Sequence, residues 1–195
     1  MVTEWSALCS PEDPVLVVPW ADPARNLSFV DLRNNPYDFD AIPEAVQYPP
    51  LLQALRALNA SRSPVFTAKC DVWPLAPEEL EHLRLDLDLE PEESRAGLGS
   101  YIDLMFRDRS VFTSAAHQQQ WIARLLRLAS QLDYPAVVFE CTLRPALLDL
   151  RIPQEGYAIS LYLKTAGADR EDAEVSWAAA LADIVKLVRS RELAR

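Results

Sequence analysis

The sequence predicts an α+β fold: two tandem copies of one β-α-β-β unit, largely one mixed sheet with helices on one face, and an extra helix at the C-terminal end. Two observations carry that expectation. Two segments of the chain match each other in the same order, and strand-like alternation gives way to helix-like stripes at corresponding places in both. Half of the 195 residues are apolar and a quarter are charged, a balance that supplies a core and argues against disorder.

The internal match begins where Ser28-Phe29-Val30-Asp31-Leu32 lies over Ser100-Tyr101-Ile102-Asp103-Leu104. Farther on, Leu51 to Leu75 lies over Ile122 to Ala146 without a gap. Leu55-Arg56 there matches Leu126-Arg127, Pro64 matches Pro135, Cys70 matches Cys141 and Pro74 matches Pro145. The identities fall where elements are expected to begin, cross the core and end. The expected organisation is a leader over 1–26, a first unit over 27–90, a connection over 91–99 and a second unit over 100–195, within one domain.

Each unit opens on an alternating strand, Val30 and Leu32 on one face in the first copy, Ile102, Leu104 and Phe106 in the second. A helix follows. Pro49-Pro50 suits a first turn ahead of the stripe Leu51, Leu52, Leu55, Leu58, and Trp121, Ile122, Leu125, Leu128, Ala129 and Leu132 repeat the stripe. A second strand over 65–73 is matched by one over 136–144, each closed by proline. For the third strand, Leu83, Leu85, Leu87 and Leu89 alternate with Arg84, Asp86, Asp88 and Glu90, and Tyr157, Ile159, Leu161 and Leu163 repeat the pattern. The second copy then adds a helix over about 170–192, carrying Ala173, Trp177, Ala180, Leu181, Ile184, Leu187 and Val188 on one side. In the leader, the apolar run Val15 to Val18 is a candidate edge strand. A strand, a crossover helix, a parallel strand and an antiparallel hairpin partner form a ferredoxin-like topology, a grammar shared by many unrelated activities.

Nineteen Lys and Arg against 29 Asp and Glu give a formal net charge of −10. A chain of that charge repels phosphate backbones, and no run of basic residues offsets it, so nucleic-acid binding is not expected. No apolar stretch approaches the roughly 20 residues that cross a bilayer. The N-terminal residues, with Glu4 early and Pro11 soon after, lack the pattern of a signal peptide. Three cysteines, Cys9, Cys70 and Cys141, without C-x-x-C spacing fit reduced thiols in a cytoplasmic protein.

Signatures of chemistry are sparse. The four glycines form no phosphate-cradling loop, and no G-x-S-x-G occurs, so neither a nucleotide cofactor nor a serine hydrolase is expected. His82 and His117 are the only histidines, too few for most histidine metal sites, and no metal is expected. Cys70 and Cys141 occupy equivalent inward positions and read as small apolar core residues.

The most informative carboxylates are Asp31 and Asp103, placed in strands where propensity disfavours them. They would face the side of the sheet without helices, either as a carboxylate pair or each held by an arginine such as Arg33, Arg107 or Arg144. That open face would also carry Trp73 and Tyr101, giving Asp31, Trp73, Tyr101, Asp103, Arg107 and Arg144 as the expected binding residues. Aromatic and arginine side chains together are the composition of interfaces. The expected function is therefore binding, with a protein partner or self-association through this face, and without catalysis. The alternative is an enzyme or sensor holding a small anionic ligand at the junction of the two units.

Overall fold

The computed structural model describes residues 1–150 and 152–193. Arg151, Ala194 and Arg195, which fall in the second expected unit, lie outside the described residues. In chain order the strands and helices are β1 (Val2–Ala7), β2 (Leu16–Val18), β3 (Ala21–Asp22), β4 (Leu27–Ser28), α1 (Pro43–Gln47), α2 (Pro49–Asn59) and β5 (Val65–Pro74). There follow α3 (Pro77–Leu87), β6 (Ala96–Phe106), α4 (Arg109–Phe112), α5 (Ala115–Ala129), β7 (Val137–Leu148), β8 (Gln154–Gly167) and α6 (Arg170–Val188).

Six strands form one mixed sheet in the order β1-β7-β8-β6-β5, with β2 also pairing β7. Strands β1 and β2 run parallel to β7, and the β7–β8, β8–β6 and β6–β5 pairs are antiparallel. The β6-α5-β7-β8 stretch thus has the expected strand, crossover helix, parallel strand and hairpin, with β8 returning between β6 and β7. The leader's candidate edge strand is β2, and β1 lies ahead of it on the same edge.

One face of the sheet carries the main core. Helix α2 presents Leu51, Ala54, Leu55 and Leu58, and α5 presents Trp121, Ile122, Leu125, Leu126 and Ala129, all buried. Each leucine so buried stabilises the fold by about 2 kcal/mol. The local reasons for these helices are visible in their first turns. Pro49 occupies the start of α2, where a missing N–H costs nothing. The Ser114 hydroxyl accepts from the His117 N–H at the start of α5, and the Asp169 carboxylate accepts from the Asp172 N–H at the start of α6. Trp177 of α6 is buried against the sheet, and its indole N–H donates to Ser100 Oγ at 2.8 Å, so its polar end is satisfied. Asn59 ties the end of α2 to β5. Its Nδ2 donates to Leu55 O and Thr67 Oγ1 while its Oδ1 accepts from the Thr67 N–H, beside the register shift between Thr67 and Lys69.

Several expected features are corrected. Residues 29–33 are not a strand: only Leu27–Ser28 pairs, with Ala21–Asp22, in a separate two-stranded ribbon. The Asp31 carboxylate instead accepts from the Arg33 backbone N–H, the Arg33 guanidinium and Asn34 Nδ2, which closes a turn. The first unit's third strand is α3, a helix, and α3 packs Leu80 and Leu83 with Ala166 on the face opposite α2, α5 and α6. Helices therefore cover parts of both faces. The connection ends at Arg95, because Gly97 and Gly99 are already paired within β6. A helix leading into a strand recurs in α2-β5 and α5-β7, but the first unit's outer strands are absent, so two ferredoxin-like copies are not seen.

Candidate functional site

The register of the sheet gathers a polar and aromatic strip on the face away from α2, α5 and α6. Tyr101 of β6 lies across from Tyr162 of β8 and Asp71 of β5, and Asp103 lies across from Ser160 and Lys69. On β7, Glu140 lies across from Tyr162. The rings of Trp73, Tyr101 and Tyr162 form a row, with centroids 6.3 Å and 5.7 Å apart. Gly99 makes room for that row. A Cβ there would come within 2.6 Å of the Trp73 ring, so the indole rests directly on the backbone of β6.

Beneath the row is a buried ion pair. Asp103 has no exposed surface, and its Oδ2 accepts from an Arg144 guanidinium nitrogen at 2.5 Å while its Oδ1 accepts from the Ser160 hydroxyl at 2.6 Å. Burial pushes the Asp103 carboxyl up from its usual value, against the pull of Arg144, the Ser160 hydrogen bond and Lys69. Burial and the Asp103 charge also push the phenols of Tyr101 and Tyr162 upward. The Arg144 Nε is buried and has no hydrogen-bond partner among the described residues.

Two walls narrow the strip. The leader starts along the β7 edge at β2 and reaches the far edge, where the Trp20 indole N–H donates to Ala68 O of β5 at 2.8 Å. Farther along, the Arg33 guanidinium lies 3.9 Å from the centroid of the Phe66 ring. This crossing leaves a groove of about 430 Å³ lined by Leu16, Val17, Trp20, Lys69, Arg144 and Tyr162 among others. At the other end α3 forms the wall, with Glu79, His82 and Asp86 facing Glu140 and Lys164.

Four of the six expected binding residues come together here, Trp73, Tyr101, Asp103 and Arg144. Asp31 and Arg107 do not join them. Asp31 is in its turn with Arg33, which holds its carboxyl below the usual carboxylate range despite partial burial. Arg107 follows the end of β6 and donates to Val65 O and Asn59 O. No carboxylate pair forms, because each aspartate is held by its own arginine. Ser160 and Trp20 were missed. The alternation of β8 would have placed Ser160 beside Tyr162 and Lys164, whereas nothing in the leader announces the reach of Trp20.

The histidines are exposed, His82 on α3 and His117 in the first turn of α5. Burial raises the Cys70 thiol to about 12 and the Cys141 thiol further, which disfavours the thiolate at both. Among the described residues no group of three or more His, Cys, Asp or Glu side chains could hold a metal ion. No helix among them is long and apolar enough to cross a membrane. The fold and the strip define an α+β protein with a mixed six-stranded sheet, helices packed against it and a partly uncovered aromatic face. The chain matches no protein-family model, no curated protein and no solved structure.

Proposed function

We propose that this chain is a binding protein whose protein partner seats on the strip between the leader and α3. The observation that carries this reading is the row Trp73, Tyr101 and Tyr162, partly exposed on a sheet face, with Lys69 and Arg144 beside it. Rigid aromatic rings flanked by cations are what interface hot spots are made of, since they bury much surface for little loss of conformational entropy. The Asp103–Arg144 pair beneath is the support that holds the strip in place. Three free thiols fit a cytoplasmic setting for such a protein.

Native mass spectrometry of the intact chain, with size-exclusion chromatography beside it, tests the reading. If the partner is a second copy, the wild type runs as a dimer and Tyr101→Ala or Trp73→Ala shifts it to monomer. If the partner is another protein, a co-purifying species of defined mass is lost in the same variants. Assembly unchanged in both variants would overturn the proposal. A second reading is favoured by the unpartnered Arg144 Nε and by Lys69 in the 430 Å³ groove: a small anionic ligand bound there. A monomer carrying a small anion that Lys69→Ala releases would favour it.

A further inference from the structure

The second large hollow of the molecule lies away from the strip, at the end where β6 leaves the sheet, and it is lined by residues of opposite character to the chain as a whole. Arg62, Arg107, Arg124, Arg189, Arg191 and His117 all line this groove of about 630 Å³. Among the described residues Asp108 is the one carboxylate of the lining, and it is engaged by the Ser110 N–H at 2.8 Å and hydroxyl at 2.7 Å. The chain has 29 acidic residues against 19 basic ones, so a lining with five arginines and one acid runs against its composition.

The pairing of the charges points the same way. Elsewhere Arg33, Arg84, Arg144, Arg170 and Lys186 each hold a carboxylate. Among the described residues none of the five groove arginines does. Next to the groove, Arg124 and Arg191 also border a smaller hollow with Arg127, where Glu192 is the one acid among the described residues. Guanidinium groups gathered without counter-charges repel one another, and the arrangement is stabilised when an anion enters.

The other wall of the groove is apolar. Phe106, Trp121, Val188 and Leu193 contribute to it, and Phe106 and Trp121 pack edge to face with centroids 5.2 Å apart. A groove of this size suits a small molecule, and arginine forks match phosphate oxygens two at a time. The net charge of −10 repels long polyanions, which leaves ligands whose charge fits inside the groove.

We infer that the groove between α5, the end of β6 and residues 189–193 binds a small phosphorylated molecule with an apolar part. Its phosphates sit among Arg62, Arg124 and Arg191, and its apolar part lies toward Phe106, Trp121 and Leu193. The site is separate from the strip of the proposed function, and Arg107, which sequence reasoning assigned to that strip, belongs here.

Isothermal titration calorimetry of the full chain with ATP and with tripolyphosphate, at about 50 mM salt, tests the inference. At least one probe is expected to bind, with affinity falling as salt rises. Arg124→Ala should weaken binding about tenfold or more, and Arg124→Ala with Arg191→Ala should remove it. Arg191 is exposed and Arg124 partly exposed, and neither holds a carboxylate among the described residues, so these variants should keep the wild-type thermal melt, and Tyr101→Ala should bind as wild type does. ATP binding more tightly than tripolyphosphate would support the share of the apolar wall, and equal binding would overturn that part of the inference and leave a phosphate site alone. Neither probe binding at about 1 mM, or wild-type affinity in the double variant, would overturn the inference.

Discussion

Asp103 concentrates the physical tension of the strip in one side chain. A carboxylate without exposed surface is costly to ionise, and the guanidinium of Arg144, whose side chain is only 17% exposed, is costly to leave alone. Each is tolerable because of the other. Asp103→Asn should therefore destabilise the fold by about 3 kcal/mol, mostly through the stranded guanidinium, and Arg144→Met should do the same through the stranded carboxylate. The double variant should be closer to wild type than the sum of the two, because no lone charge is left buried. Urea unfolding of the four proteins measures the coupling. Additive losses would mean that the pair does not act as a unit. Aspartate is unfavourable in a strand, which is what sets Asp31 and Asp103 apart in the sequence. The two sites resolve it differently: Asp31 leaves the strand for a turn, and Asp103 stays in it by recruiting Arg144 and Ser160.

At the scale of elements, α3 shows how an alternating pattern misleads. Leu83, Leu85, Leu87 and Leu89 alternate with charged residues as a strand does, yet Leu80, Leu83 and Leu87 are also spaced for one helix face. The signals that decide are local. Pro77 followed by Glu78 and Glu79 suits a first turn, the Glu79 carboxylate accepts from the Ala76 N–H at 3.0 Å, and Asp88 ends the helix in the left-handed region at φ 51°. In a strand Leu83 and Leu85 would share a face. In α3 Leu83 is 3% exposed and Leu85 is 71% exposed. Leu83→Ala should thus cost about 2 to 3 kcal/mol, and Leu85→Ala no more than about 0.5 kcal/mol. Equal losses in thermal or urea unfolding would restore the strand. The elements read correctly, α2, α5, α6, β5, β6, β7 and β8, are those whose apolar residues meet the main core on one side, although β7 runs on through Pro145 to Leu148 rather than closing there. Burial there enforces a single period. Strand β1 carried no such signal, because its pairing with β7 leaves Trp5 52% exposed and its apolar residues outside any continuous stripe.

For the whole molecule, composition and periodicity made the α+β class and the single mixed sheet legible, whereas the path of the leader was not. Its route from the β7 edge to Trp20 on β5 depends on one indole hydrogen bond and on packing over the strip, neither of which has a period to read. The same crowding of that face governs the response to alkali. The phenols of Tyr101 and Tyr162 on that face are raised, and away from it, beside α6, the phenol of Tyr134 that donates to Asp183 is raised to about 12. Below about pH 10 both folded and unfolded chains keep these protons, and stability does not depend on them. Above it the unfolded chain releases them first while the folded chain still holds them, so stability falls as pH rises toward the folded values. Tyr101→Phe removes one such group. The difference in unfolding free energy between about pH 9 and pH 11.5 should therefore be smaller in that variant than in wild type. Urea titrations at the two pH values measure it. An identical drop in both proteins would show that Tyr101 ionises as freely in the fold as in water, and that the face over Asp103 is wetter than its packing implies.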